Sequence, residues 1–161
     1  MALSHRSKPS IWRIVQIDYI ACLAVLFPLA VWVLSVVLYY TGGLPGVRGH
    51  DPVSAEEGLP FFLYMGLIAT AIGIPVLLWR VRTLLNLFAR GQEVAGRLIS
   101  VGFFRDRGRI EYAYDYQGQL FQGGNVVMRT GRTTALSVGE QVVLLVDPIH
   151  PHRAVIRDLY V

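Results

Sequence analysis

Residues 60–79 read PFFLYMGLIATAIGIPVLLW, carry no charged side chain, and are followed at once by Arg80 and Arg82. A helix rises about 1.5 Å per residue, so about 20 residues cross a hydrocarbon core about 30 Å thick. The stretch therefore predicts a membrane-spanning helix with a basic end. The composition agrees, since 53% of the 161 residues are apolar and 16% are charged, whereas about a quarter are charged in soluble domains.

A second apolar run, residues 12–40, lies upstream and predicts a first span with Trp12 and Tyr40 at the two interfaces. The run is too long for a signal peptide and no small-residue cleavage motif closes it, so we expect a retained span. Cys22 is the only cysteine, which excludes an intramolecular disulfide and a cysteine-based metal site. The patterns divide the first part of the chain into a tail at 1–11, a span at 12–40, a loop at 41–59, and a second span with an amphipathic extension at 60–90.

Basic residues are placed unevenly around the two spans. Arg13 lies at the start of the first span, and Arg80, Arg82 and Arg90 follow the second, whereas the loop carries one cation, Arg48. The positive-inside rule then places both termini in the cytoplasm and the loop outside. The amphipathic extension either lies on anionic lipid or forms a stalk that leads into the following domain.

Asp18 interrupts the first apolar run with a carboxylate. An ionisable group at membrane depth is by default a hypothesis for a functional site, because an unpaired charge in lipid is costly. Two other interpretations stay open. Asp18 could lie among the lipid headgroups, or it could pair with Arg80 or Arg82 at the adjoining end of the second helix.

Four small residues recur at helical spacing in the second span: Gly66, Ala69, Thr70 and Gly73. Small side chains let two helix backbones approach closely, so this face predicts a helix-packing surface. Its partner is either the chain's own first span or another membrane protein.

From residue 91 onward the hydrophobic period changes from the helical value to two. Alternation predicts five short strands, over residues 94–101, 109–116, 119–122, 141–146 and 154–156. A hairpin turn at Gln117-Gly118 joins the second strand to the third, and residues 126–128 continue the third strand beyond a glycine bend at Gly123-Gly124. The predicted fold is therefore a two-helix transmembrane hairpin followed by a small all-β domain at 91–161. Five short strands in about seventy residues are typical of a closed or half-closed β-barrel of the OB or SH3-like kind.

Two motifs carry a resemblance to a known family: YAYDY at residues 112–116 before a Gly hairpin, and VDPIHP at residues 146–151. Through them, residues 90–156 resemble a bacterial membrane family known as domain of unknown function 3592. That family has a Tyr-x-Tyr strand and a valine-rich strand ending in Tyr-Asp-Pro-x-Asn-Pro, where this chain has Val146 and His150 at the Tyr and Asn positions. The resemblance implies one or two spans with a small β domain, and it brings no established activity.

Tyr112, Tyr114 and Tyr116 fall on one face of a predicted strand. Exposed aromatic residues on a barrel can stack the bases of single-stranded nucleic acid. Three arginines nearby could attract phosphate: Arg105, Arg107 and Arg109. The strict alternation with Glu111 and Asp115 instead favours tyrosines that form the core face, and acidic residues on the outer face oppose nucleic-acid binding.

His150 and His152, with Asp147 close by, are the candidate metal ligands. A His-x-His pair on a strand would point both rings to one side. Here Pro148 and Pro151 favour a rigid turn with solvated imidazoles, and no second group of ligands accompanies the pair. We therefore expect no metal and no other cofactor.

No serine, threonine or cysteine of the chain lies in a nucleophile-elbow or comparable catalytic context, so the sequence predicts a non-enzymatic protein. The favoured hypothesis is an accessory, structural or assembly subunit of a larger complex in a bacterial cytoplasmic (inner) membrane. Its partners would be the lipid bilayer and other membrane protein subunits or a second copy. The alternatives are a membrane-tethered ligand or metal sensor and a membrane-tethered nucleic-acid binder.

Overall fold

The computed structural model describes residues 9–45 and 52–161. The helices are three longer segments and two single turns, numbered in chain order as α1 (Ile11–Ile17), α2 (Tyr19–Thr41), α3 (Ala55–Arg90), α4 (Gly131–Thr134) and α5 (Arg157–Tyr160). The strands are one short pair and one larger set, numbered as β1 (Gly43–Leu44), β2 (Val53–Ser54), β3 (Gln92–Phe104), β4 (Arg107–Tyr116), β5 (Gln119–Met128), β6 (Gln141–Val146) and β7 (Ala154–Ile156). The chain divides into two compact units, residues 23–78 and the remainder.

The run predicted as one helix over 12–40 is two helices, because Asp18 separates α1 from α2 with an extended backbone (φ −78°, ψ 117°). The backbone N–H of Asp18 still donates to the Ile14 carbonyl oxygen and closes α1. Its side-chain Oδ1 accepts from the Ala21 N–H at 3.0 Å. Asp18 is thus the N-cap of α2, a position that favours aspartate because a free helical N–H needs an acceptor.

The predicted loop at 41–59 is shorter than expected, because α3 begins at Ala55. Glu56 and Glu57 lie in its first turn, where negative side chains complement the helix dipole. Next to it, β1 and β2 pair as a short antiparallel ladder. The loop cation Arg48 and residues 1–8 of the predicted tail lie outside the described residues.

Among the described residues, α2 and α3 are the two helices long and apolar enough to cross a membrane. Most of the apolar window in each is not buried inside the protein. Such surfaces suit a lipid environment, where apolar side chains need no protein cover.

The predicted helix-packing face on α3 packs against α2. A Cβ added to Gly66 would lie 3.0 Å from the Trp32 ring, and one added to Gly73 would lie 2.7 Å from a backbone carbonyl oxygen of α2. Trp32 Nε1 donates to Thr70 Oγ1 at 3.0 Å, and Ala69 is buried. Of the two partners left open by the sequence, the chain's own first span fills this face.

The strands β3 to β7 form one antiparallel sheet in the order β5-β4-β3-β6-β7, curled into a nearly closed barrel. This confirms the predicted two-helix hairpin followed by a five-stranded barrel. β3 pairs with β4 along most of its length and with β6 over its first half, so it is shared between the two halves of the barrel. A Cβ on Gly96 of β3 would collide with the Leu144 side chain, so glycine there leaves room for Leu144 in the interior.

Side chains of β4 and β5 hold the closing strand β7 and the turn before it. Tyr112 Oη and Asn125 Nδ2 both donate to the carbonyl oxygen of Ala154, the first residue of β7. Tyr114 Oη donates to the Pro151 carbonyl oxygen in the turn before β7. These donors satisfy carbonyl groups at the seam and fix the closing strand, because buried backbone acceptors are costly when unpaired.

Candidate functional site

The centre of the candidate site is a buried ion pair between Asp18 and Arg80. Arg80 Nε and Nη2 donate to Asp18 Oδ2 at 2.9 and 2.6 Å. The Asp18 side chain is 1% exposed and that of Arg80 is 20% exposed. Of the interpretations left open for Asp18, pairing with Arg80 is confirmed. A buried charge pair of this kind holds its two chain segments in one geometry, because separating them leaves a desolvated charge without a partner.

Backbone and ring contacts surround this pair and join α1 to the barrel. Asp18 forms an isolated antiparallel bridge with Val127 of β5. The Ser10 N–H donates to the Tyr160 carbonyl oxygen at 3.2 Å, and the Tyr160 ring lies edge-on to Phe88 of α3 at 6.3 Å between centroids. We call these residues, with Arg80, the polar junction. It packs α1, the last turns of α3, β5 and α5 into one body.

Two tyrosines of this region are fully buried. Burial raises the pKa of Tyr112 and of Tyr160, because the ionised phenolate would lose its hydration. Their hydroxyl groups differ, since Tyr112 Oη donates to Ala154 whereas Tyr160 Oη has no hydrogen-bond partner among the described residues. Within the described part of the chain, burial of the Tyr160 hydroxyl without a partner therefore lowers the stability of the fold.

The candidate metal ligands face different neighbours. Asp147 Oδ2 lies 3.6 Å from His150 Nδ1, and Asp147 Oδ1 accepts from the Ile149 N–H, which is the geometry of a capped turn. His152 instead lies edge-on to the Phe121 ring at 5.1 Å between centroids. In the ranges 9–45 and 52–161 no group of three or more His, Cys, Asp or Glu residues could hold a metal ion.

The tyrosine face of β4 points into the barrel. Tyr112, Tyr114 and Tyr116 are 1%, 2% and 5% exposed, and their hydroxyl groups bind Ala154, Pro151 and Gln92. The core-face interpretation is confirmed, so these rings cannot stack on a nucleic-acid base.

The remaining predicted cations lie in three different environments. Arg82 is exposed on α3. Arg90 lines a cleft of about 270 Å³ at the end of α3, together with Arg153, His150 and Asp147. Arg13 of α1 lines a second and larger cleft, which we describe below as the arginine cleft.

Sequence reasoning missed two parts of the site. The cap made by Asp18 had a signal, since an aspartate directly before a long apolar run is a helix start signal. The burial of Tyr160 had no signal, because residues 157–160 form one helical turn and are too short to show a period.

A comparison of the chain with family models, with curated proteins and with solved structures found no match.

Proposed function

We propose that the protein is a non-enzymatic membrane protein that presents its β-barrel as an interaction module for other membrane proteins. The Asp18–Arg80 pair is the observation that carries this proposal. It joins the start of α2 to the end segment of α3 at the base of the barrel, and β3 begins at Gln92, two residues after α3 ends at Arg90. A barrel held in this way offers a partner a preorganised surface, which lowers the entropy lost on binding.

The barrel also has the kind of surface that a partner could cover. Leu120, Val138 and Ile149 are 74%, 64% and 73% exposed, although each is a large apolar residue. Single exposed apolar residues are common, so these three positions are places to probe for a partner and do not by themselves mark an interaction site. Because the small-residue face of α3 is filled by α2, that face is not open to a partner, and the proposed contact surface is the barrel.

The proposed setting is a bacterial cytoplasmic (inner) membrane with both termini in the cytoplasm. The cations Arg80, Arg82 and Arg90 at the barrel end of α3 support this orientation through the positive-inside rule. The resemblance to the bacterial membrane family known as domain of unknown function 3592 supports the bacterial membrane, and the orientation rests on the cations alone. A reporter fused after Val161 should be active only in its cytoplasmic form, and an external signal would overturn the orientation.

Site-specific photo-crosslinking in cells tests the proposed function. A photoreactive amino acid would replace Leu120, Val138 or Ile149 in separate variants, with Ile72 on α3, which is 61% exposed, as a matched apolar control. We expect at least one barrel position to give one discrete adduct, in which mass spectrometry identifies another membrane protein. The Ile72 control should give no adduct with that protein. Adducts with lipid alone, or only with a second copy of this chain, would contradict an accessory subunit.

A further inference from the structure

A cleft of about 690 Å³ lies between α1, the start of α2 and the segment that follows β5. Three arginines line it: Arg13, Arg129 and Arg132. Among the residues that the structure describes, no aspartate or glutamate lines it. We call this feature the arginine cleft.

The charges of the arginine cleft are largely unneutralised. Within the described parts of the chain, Arg13 and Arg129 make no ion pair, and Arg132 Nη1 donates to the Val161 carbonyl oxygen at 3.0 Å. Arg129 and Arg132 are exposed and Arg13 is half-buried. Guanidinium groups that share a cleft with no described aspartate or glutamate attract an anion, and their planar donors suit phosphate oxygens.

The remaining lining of the cleft is partly apolar. Ile17, Cys22 and Met128 contribute to it, and Cys22 belongs to the first turn of the candidate span α2. A free phosphate ion gains nothing from contact with apolar side chains. A phospholipid does gain from it, because its phosphate continues into a glycerol and acyl chains. Lipid headgroups also lie where a span begins.

We propose that the arginine cleft binds the phosphate headgroup of an anionic phospholipid. Arg13, Arg129 and Arg132 hold the headgroup phosphate, and the lining at Ile17, Cys22 and Met128 receives the upper part of the lipid. The second cleft, near Arg90 and Arg153, differs in volume, at about 270 Å³, and in the presence of Asp147. Because it also contains two arginines, it serves as the control for the arginine cleft.

Native mass spectrometry of the full-length protein, released from mild detergent, measures the binding. The probes are phosphatidylglycerol, zwitterionic phosphatidylcholine and inorganic phosphate. The test variant is R13Q/R129Q, and the control variant is R90Q/R153Q. Each pair removes one helix arginine and one barrel arginine, so the two variants have the same net charge.

We expect wild type and R90Q/R153Q to retain one phosphatidylglycerol in preference to phosphatidylcholine. R13Q/R129Q should bind about 25-fold more weakly, since each of the two cations near an anionic lipid surface contributes about fivefold. The charge-conserving variant R13K/R129K should recover much of the binding, which separates lost charge from a lost fold.

Each of the following results would overturn the proposal. Equal weakening in both glutamine variants would indicate non-specific attraction by net charge. Equal binding of the two lipids, or no recovery in the lysine variant, would remove the anionic headgroup site. Inorganic phosphate that binds without lipid, or displaces phosphatidylglycerol at equal concentration, would make the cleft a soluble-phosphate site instead.

Discussion

Arg80 donates two hydrogen bonds to a single carboxylate oxygen of Asp18, at 2.9 and 2.6 Å, from a position 62 residues further along the chain. The other oxygen of Asp18 caps α2 by accepting from the Ala21 N–H. One buried side chain therefore ends α1, starts α2 and fixes the end segment of α3. The two roles of Asp18, as a helix cap and as the partner of Arg80, can be separated by mutation.

Replacing Asp18 separates its charge from its capping role. D18N keeps a side-chain oxygen for the cap but leaves Arg80 without a counter-charge, and loss of one partner of a buried pair costs about 3 kcal/mol. D18A loses the cap as well and should cost about 1 kcal/mol more. The free energy of unfolding in one mild detergent measures both. R82Q is the control and should leave it unchanged, because Arg82 is exposed and makes no ion pair within the described residues. A D18N variant with the same free energy of unfolding as wild type would contradict the stabilising role of the Asp18–Arg80 pair.

Two buried tyrosines should respond in opposite directions to loss of their hydroxyl groups. Y112F removes a donor to the Ala154 carbonyl oxygen at the barrel seam and should destabilise the fold by about 1 kcal/mol. Y160F removes a buried hydroxyl with no partner among the described residues, so it should be neutral or stabilising. Melting temperatures in the same detergent compare the two. A marked loss of stability in Y160F would mean that its hydroxyl has a partner, such as a bound water.

The same tyrosines should make the protein sensitive to alkali. Burial raises the pKa of Tyr112 and Tyr160 above that of an unfolded-chain tyrosine, which is about 10. Above pH 10 the unfolded chain releases phenolic protons that the folded chain retains, so stability is full below that pH and falls as the pH rises further.

Melting curves from pH 8 to pH 11 test this dependence on the two buried hydroxyl groups. The Y112F/Y160F variant should show a shallower fall, while Y40F, at an 80% exposed position, should match wild type. Identical slopes in all three proteins would assign the alkaline loss to other groups.

The close approach of α2 and α3 depends on Gly73. A Cβ there would lie 2.7 Å from the Ala24 carbonyl oxygen and 3.0 Å from Pro28 Cγ, so G73V must push the helices apart. The control A71V adds the same branched side chain at an exposed position of α3. We expect G73V to lower the melting temperature clearly and A71V to change it little. Equal effects would mean that the helices do not pack through this face.

Much of the architecture follows from local pattern. The uncharged apolar runs of α2 and α3 are long enough to span a membrane, and the alternation along β4 buries one face of a strand. The type of each element can therefore be predicted without tertiary information. The β4–β5 turn is likewise local, because Gln117 (φ 55°) and Gly118 (φ 78°) both adopt the left-handed conformation of a tight hairpin.

The site depends on long-range packing and could be predicted only in part. The sequence brought Asp18 near two arginines, but the choice of Arg80 over Arg82 depends on the rotation of α3 about its axis. The small cap at α4 was missed because Thr133 takes the place of the usual glutamate in the reciprocal pair with Thr130. The arginine cleft joins segments that lie more than a hundred residues apart, so no local pattern indicates it.

A distance measurement between α1 and the barrel tests most directly whether the barrel is held in place. Spin labels at Gln16 on α1 and at Val138 on the barrel, both exposed, would be placed in a C22A background in lipid nanodiscs. Pulsed electron spin resonance should give one distance distribution for this pair, as narrow as that of a reference pair within the barrel, Leu120 and Val138. R80Q should broaden the Gln16–Val138 distribution and leave the reference distribution unchanged. A broad distribution in the protein with Arg80 intact would contradict the account, because it would mean that the barrel moves freely relative to α1.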